Sequence, residues 1–179
     1  MTREEARSIL YSMTQSTSLL RHMRSIELVM EAYAKKLGEP QEEWAITGLL
    51  HDADYEAFPD KHPAIIVDKL KNLGEEKIAH AISAHYTKWN IPYTNTLDKG
   101  LLACDELTGF IIACCQVRPD GIASLEPKSV IKKLKDKTFA AKVERDEVYK
   151  GAELFGVELT EHIAFIIDVL RQNKTELGI

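Results

Sequence analysis

The sequence predicts an all-α protein, and three observations lead to this prediction. Apolar residues recur every three or four positions along most of the 179-residue chain, which is the spacing of one face of a helix. No segment shows the sustained alternation of apolar and polar residues that a half-buried strand requires. Glycine and proline interrupt the apolar segments where helices are expected to end or begin. At this length one domain with its own hydrophobic core, residues 1–179, is the default expectation.

The predicted helices follow one another along the chain with short connections. A first helix begins after Thr2, which forms a capping box with Glu5. Ser16 or Ser18 caps a second helix, whose apolar face ends shortly before a glycine. The later helices are predicted over residues 40–50, 63–72, 75–86, 97–116, 127–136, 138–155 and 157–172.

The composition excludes several classes of function. A formal net charge of −5 argues against a broad nucleic-acid or anionic-membrane surface, so neither partner is expected. The three cysteines contain no CxxC motif and suit a reducing, cytoplasmic setting. The first residues lack the apolar run of a signal peptide, and no apolar stretch is long enough for a membrane span. The oligomeric state is left open, with a homo-oligomer as one alternative.

The dipeptide His51-Asp52 is the most informative feature. It follows a largely apolar helical stretch, 42–50, where further leucine or alanine would be expected. Neither side chain is buried at low cost without a partner, and a metal cation binds both imidazole nitrogen and carboxylate oxygen. The structural alternative is a helix end, where a histidine interacts well with the helix dipole and an aspartate begins a turn.

Other polar residues fall on apolar helical faces. His22, His85 and Asp105 each share a face with aliphatic side chains at helical spacing, and His62 lies at a predicted helix start. A buried carboxylate is rare unless it is paired or coordinates a metal. The alternatives are a hydrogen-bonded core histidine and a salt bridge between helices. His80 is interpreted as a surface residue and His162 as a structural one that pairs with Glu158.

The chain after the dipeptide, residues 53–63, is predicted to be a loop rich in carboxylates and histidine. Its simplest interpretation is a solvated connection. Its functional interpretation is the rim of an active site, because loops beside a rigid scaffold often carry the chemistry. Asp54 and Glu56 are then the candidate proton acceptors or donors.

The order of His22, His51-Asp52 and Asp105 resembles the HD-domain superfamily of metal-dependent phosphohydrolases. The approach Gly48-Leu49-Leu50 and the helix segment 102–109, which contains an alanine and a leucine on either side of the aspartate, are similar to those of the family. The resemblance spans about residues 18–110, and residues 127–173 are similar to the C-terminal helices of small HD proteins. It implies a compact helical bundle of the HD-domain type.

The resemblance also implies a ligand set. His22, His51, Asp52 and Asp105 would bind one divalent cation, and His62 and His85 occupy positions where some members hold a second one. Two departures argue against the two-metal state and against cleavage of cyclic dinucleotides. The family's isoleucine-glycine-lysine after the dipeptide is replaced by Ala53-Asp54-Tyr55, and a paired histidine is replaced by Tyr86.

The expected function is hydrolysis of a phosphomonoester or phosphoanhydride, with a nucleotide as the preferred substrate. Asp52 and Asp54 are the expected catalytic residues, and His62 and His85 either hold a second ion or contact the phosphate. The cofactor is one divalent ion, or two, from Mn, Fe, Co, Ni, Mg and Zn. The alternative is an HD module that binds a nucleotide or regulates without catalysis. A helical scaffold without a site is the third alternative.

Overall fold

The computed structural model describes all 179 residues and contains ten α-helices, one short 3₁₀ helix and no strand. The all-α prediction is therefore confirmed. The helices are α1 (Arg3–Met13), α2 (Thr17–Leu37), α3 (Gln41–Leu50), α4 (Ala64–Asn72), α5 (Glu76–His85), α6 (Thr96–Gln116), α7 (Pro127–Leu134), α8 (Arg145–Phe155), α9 (Leu159–Gln172) and α10 (Lys174–Leu177), with the 3₁₀ helix at Thr87–Trp89.

The chain forms two compact units, Met1–Leu101 and Leu102–Ile179. The division falls between consecutive residues of α6. The grouping of the whole chain into one domain stays a prediction.

The first unit is built on the packing of α2 against α3. Gly48 lies at their closest approach, where an added Cβ would come within 2.8 Å of the backbone carbonyl carbon and oxygen of Ile26. Large side chains fill the surrounding interior, and Trp44, Tyr33 and Met23 are at most 2% exposed. In the same unit α1 packs on α3, and α4 packs on α5. The close approach at Gly48 fixes α3, and with it the chain that follows Leu50.

Glu27 of α2 is fully buried and is surrounded by arginines. Arg24 Nη1 lies 2.7 Å from one carboxylate oxygen, while Arg3 and Arg7 of α1 approach the other at 3.6 and 3.5 Å. A buried carboxylate is tolerated when cations compensate its lost hydration. This cluster therefore ties α1 to α2 by charge as well as by apolar packing.

In the second unit α7, α8 and α10 each contact α9. His162 of α9 is 1% exposed, and its Nε2 donates a hydrogen bond to the carbonyl of Ala103 at 2.9 Å. The structural interpretation of His162 is confirmed, and Glu158 has a contact that was not predicted. Its carboxylate caps α9 by accepting the Glu161 backbone N–H at 2.9 Å.

The prediction that a helix begins at residue 138 is wrong, because α8 begins at Arg145. Thr138 instead bonds to the Asp136 carboxylate through its hydroxyl and its backbone N–H, which is a turn-forming contact. The Arg145 guanidinium then donates to the carbonyls of residues 136, 139, 140 and 143. These carbonyls are satisfied by a side chain, so the intervening segment needs no helical hydrogen bonds.

None of the helices combines the length and the apolar character that a membrane-spanning segment needs.

Candidate metal centre

The end of α3 places His51 and Asp52. Leu50 is the last helical residue, and His51 follows as the C-cap with its imidazole fully buried. Its Nδ1 donates to the Gly48 carbonyl at 2.8 Å, which is one of the carbonyls that a helix end leaves without an intrahelical partner. The Thr14 hydroxyl donates to the Ala53 carbonyl at 2.9 Å, and this buried hydrogen bond holds the turn after the dipeptide.

One group of ligand atoms comes from His22, His51 and Asp52. His22 reaches it from α2, and its Nε2 lies 3.2 Å from the Nε2 of His51. Asp52 Oδ2 lies 3.6 Å from the same His51 nitrogen. The three side chains therefore present two imidazole nitrogens and one carboxylate oxygen to a common point.

A second group comes from Asp52, His62 and His85. Here the carboxylate uses its other oxygen: Asp52 Oδ1 lies 3.2 Å from His62 Nε2 and 3.6 Å from His85 Nε2. His62 precedes α4, and His85 is the last residue of α5. Asp52 is thus shared, with one carboxylate oxygen directed at each group.

The hydrogen bonds behind the imidazoles determine their tautomers. His85 Nδ1 donates to the Ile82 carbonyl at 2.5 Å, in the same way as His51 donates to Gly48. His62 Nδ1 donates to Asp54 Oδ1 at 2.7 Å. A neutral imidazole with its proton on Nδ1 carries a lone pair on Nε2. His51 therefore presents a lone pair to the first group, and His62 and His85 present lone pairs to the second, so each group could hold a cation.

The spacing of these atoms also fits a cation. Bonds of about 2.1 Å to ligands that subtend about 90 to 110° place those ligands about 3.0 to 3.4 Å apart. The separations of 3.2 to 3.6 Å between neighbouring ligand atoms lie close to that range. Ligating histidines commonly donate their other N–H to a backbone carbonyl or a carboxylate, and His51, His62 and His85 all do so.

The two candidate proton-transfer residues both have partners in the structure. Asp54 is fully buried, and its Oδ2 accepts the backbone N–H of Ile66 at 3.0 Å while Oδ1 accepts from His62. Glu56 is exposed, and its Oε2 accepts the backbone N–H groups of Gln15 and Ser16 at 2.8 and 2.9 Å. Proton transfer by Asp54 stays a prediction, and its contacts favour the positioning role argued below.

Asp105 lies on α6 in the second unit and is half-buried. Its neighbour Glu106 has a carboxyl pKa raised to about 8, first by burial and then by the charge of Asp105. The two groups of ligand atoms described above belong to the first unit. The place of Asp105 in the ligand set therefore stays a prediction.

Aromatic rings lie beside His62 of the second group of ligand atoms. The rings of Tyr55 and Tyr86 meet the His62 imidazole edge to face, with centroids 5.4 and 5.5 Å away. Trp89 extends this surface beyond Tyr86 at 5.8 Å. Tyr55 is 49% exposed and Trp89 38% exposed. We refer to Tyr55, Tyr86 and Trp89 as the aromatic rim.

Comparison with known proteins adds one finding. The HD domain family matches residues 19–133 of the 179-residue chain. The chain belongs to the HD-domain family. Searches of curated proteins and of solved structures gave no match. HD-domain proteins are in general metal-dependent hydrolases, and the ligand groups of this HD protein suit such chemistry.

The HD structure brings together five of the predicted ligands, namely His22, His51, Asp52, His62 and His85. Sequence reasoning missed the partners behind them. The carbonyls of Gly48 and Ile82 could have been expected, because each lies three residues before a histidine in the last turn of a helix, where carbonyls lack intrahelical partners. The pairing of Asp54 with His62 and the aromatic rim had no comparable signal.

Proposed function

We propose that this HD protein is a metal-dependent phosphohydrolase that cleaves a phosphomonoester or phosphoanhydride bond of a nucleotide. The observation that carries the proposal is the sharing of Asp52 between two groups of ligand atoms, with one carboxylate oxygen on each. Paired cations are a recurrent arrangement in enzymes that carry out in-line displacement at phosphorus.

The residues divide between two cations. His22, His51 and Asp52 would hold the first, and Asp52, His62 and His85 would hold the second. When bound, a divalent cation supplies a Lewis acid for a phosphate oxygen and lowers the pKa of a water toward neutrality. The mixture of nitrogen and oxygen ligands suits Mn, Fe, Co, Ni, Mg or Zn.

The protein's own contribution is orientation and access. The buried imidazoles of His51 and His85 are fixed by hydrogen bonds to backbone carbonyls, so their ligand atoms need little rearrangement. The Asp52 side chain is 20% exposed, which leaves an approach from solvent at the carboxylate. A phosphate group can therefore reach the shared carboxylate while the imidazoles remain shielded from water.

The aromatic rim supports a nucleotide as the substrate class. Exposed aromatic rings stack on nucleobases, and each stacked base contributes about 1–3 kcal/mol in proteins that bind single strands. The rings of Tyr86 and Trp89 continue outward from His62. A phosphate at the ligand groups would thus place an attached base beside these rings.

Lys88 supports the same assignment. It is exposed, and its ammonium group lies 5.5 Å from the centroid of the Tyr86 ring. An ammonium group there can neutralise the charge of outer phosphate oxygens. Lys88 thus lies next to a ring that contacts His62.

The test is a screen of nucleoside mono-, di- and oligophosphates with the protein loaded with Mn²⁺ or Co²⁺, with phosphate release as the measurement. We expect hydrolysis of at least one class, and we expect Asp52→Ala to lose both bound metal and activity. Asp60→Ala is the matched control, because Asp60 is an exposed carboxylate in the same loop.

Two results would count against the proposal. Binding of nucleotides without any product would support the alternative of a non-catalytic HD module. Metal analysis that finds no ion, even after reconstitution, would remove the chemical basis of the proposal.

A further inference from the structure

His62 differs from the other imidazoles of the centre in what lies behind it. His51 and His85 donate their Nδ1 protons to neutral backbone carbonyls. His62 donates to the carboxylate of Asp54 at 2.7 Å, while its Nε2 faces Asp52 Oδ1 at 3.2 Å. His62 is therefore held between two carboxylates, and one of them, Asp54, belongs to neither group of ligand atoms.

Asp54 is itself fixed by the protein. It is fully buried, and its second oxygen accepts the backbone N–H of Ile66 at 3.0 Å. Ile66 lies in the first turn of α4, whose N-cap residue Pro63 makes no side-chain cap. The Asp54 carboxylate therefore supplies the acceptor that this turn lacks. Since both of its oxygens accept N–H groups, the carboxylate keeps the His62 proton on Nδ1.

We propose that Asp54 is a positioning residue that sets the affinity of the Asp52, His62 and His85 group for a divalent cation. The proposal rests on the metal centre of the proposed function and reassigns Asp54 from proton transfer. A carboxylate behind an imidazole fixes the ring orientation and raises the basicity of the ligand nitrogen. The His22, His51 and Asp52 group does not include His62, so we expect its affinity to depend on Asp54 much less.

The two groups share the Asp52 carboxylate but differ in the hydrogen-bond acceptors behind their histidines. Behind His51 in the first group lies a neutral carbonyl, and behind His62 in the second lies a charged side chain. Loss of such an outer partner typically weakens metal affinity about 10- to 100-fold. Substitution of Asp54 should therefore weaken the binding of the second cation and leave the binding of the first largely unchanged.

A purely structural role for Asp54 is the competing explanation, because its removal also leaves Ile66 N–H without its acceptor. The chain offers a matched control in Asp98. Asp98 is also fully buried, accepts from His80 Nδ1 at 3.1 Å and accepts the backbone N–H of Thr94 at 2.8 Å. His80 belongs to neither group of ligand atoms.

The experiment compares full-length wild-type, Asp54→Asn and Asp98→Asn proteins. Each is stripped with a chelator and titrated with Co²⁺, with calorimetry and the visible absorption of bound Co²⁺ as measurements. For the wild type we expect two sites. For Asp54→Asn we expect one site with wild-type affinity and one weakened about 10- to 100-fold. For Asp98→Asn we expect two unchanged sites, although both variants are less stable to heat.

Wild-type affinity at both sites of Asp54→Asn, or equal weakening of both sites in a folded protein, would overturn the proposal. If Asp54→Asn does not fold, nitrogen-15 NMR of the wild type tests the premise of the proposal, which is that Asp54 holds the His62 proton on Nδ1. We expect a protonated Nδ1 and an unprotonated Nε2 on His62, and the opposite tautomer would refute the positioning role.

The outcome is separable from that of the proposed function. Two Co²⁺ sites with the expected response to Asp54→Asn, but without hydrolysis of any phosphate compound, would leave this inference standing and reject the phosphohydrolase. If the protein hydrolyses a phosphate compound but Asp54→Asn binds Co²⁺ with unchanged affinity, the phosphohydrolase stands and this inference is rejected.

Discussion

The Nε2 atoms of His22 and His51 lie 3.2 Å apart and face each other. His51 carries its proton on the opposite nitrogen, where it bonds to the Gly48 carbonyl. Two ring nitrogens at this distance need a proton or a cation between them, because lone pairs that face each other repel. A hydrogen bond from His22 to His51 fills this place without a metal, and a bound cation would replace its proton.

This relationship predicts that a divalent cation stabilises the folded protein. A ligand present at a hundred times its Kd, and bound only by the folded state, adds about 2.7 kcal/mol to the free energy of unfolding. We expect Mn²⁺ or Co²⁺ to raise Tm by several degrees over chelator-treated protein, as measured by differential scanning calorimetry. His22→Ala with His51→Ala should reduce the rise, and an equal rise in that double variant would contradict the assignment.

The sharing of Asp52 predicts an asymmetry among ligand variants. Asp52→Ala should lose both cations, because each group uses one oxygen of this carboxylate. His22→Ala and His85→Ala should each lose one cation, because each residue belongs to one group. Metal content by mass spectrometry checks the three variants. A variant of Asp52 that retains one full equivalent would show that the carboxylate is not shared.

Much of the fold could be predicted from apolar periodicity and helix-end signals. The boundaries of α6 and α9 differ from the predicted ones by one or two residues, because each helix buries a long apolar face. The start of α8 could not be predicted, since the Arg145 guanidinium binds carbonyls up to nine residues earlier in the chain. Local propensity does not reveal a side chain that replaces helical hydrogen bonds.

The candidate ligands could be predicted from the same apolar periodicity of the helices. His22, His51 and His85 stand out as polar residues on apolar helical faces, and the family resemblance gives their order. The role of Asp54 was not predictable in this way. Asp54 is one of several carboxylates in an acidic loop, and only its contacts with His62 and Ile66 distinguish it from an exposed neighbour such as Asp60.

The aromatic rim predicts a selective effect on substrate binding. Trp89→Ala should raise KM for a nucleotide about tenfold, which corresponds to the loss of one stacked base. It should leave KM for ribose 5-phosphate unchanged, because that substrate has no base. Steady-state kinetics with both substrates check this. Tyr11→Ala is the control, since Tyr11 is an exposed aromatic residue of α1, and equal effects on both substrates would exclude base stacking.

The close approach at Gly48 predicts a link between packing and metal binding. In Gly48→Ala the new Cβ would come within 2.8 Å of the Ile26 backbone, so α2 and α3 must separate slightly. Overpacking of this kind typically costs about 1–3 kcal/mol, which urea denaturation measures. Because His51 donates to the Gly48 carbonyl, cation affinity should fall as well. A stable variant with unchanged affinity would show that the helices can separate without moving His51.

The contacts of Glu56 predict a pH dependence for the loop that carries Asp52. The backbone N–H groups of Ser16 and Gln15 hold the pKa of the Glu56 carboxyl below its usual value. A lowered pKa means that the ionised carboxylate stabilises the folded state. This stabilisation is present above the pKa of the unfolded chain and is lost as the pH falls through the lower pKa of the folded protein. Glu56→Gln removes the charge at every pH.

We therefore expect wild type and Glu56→Gln to differ in stability at pH 7 and to converge at acidic pH, with the wild type more stable at pH 7. Urea denaturation at a series of pH values measures the difference. Glu153→Gln is the control, because Glu153 is an exposed glutamate of α8. A difference between wild type and Glu56→Gln that grew as the pH fell would have the wrong sign and would rule out the stabilising contact with residues 15 and 16.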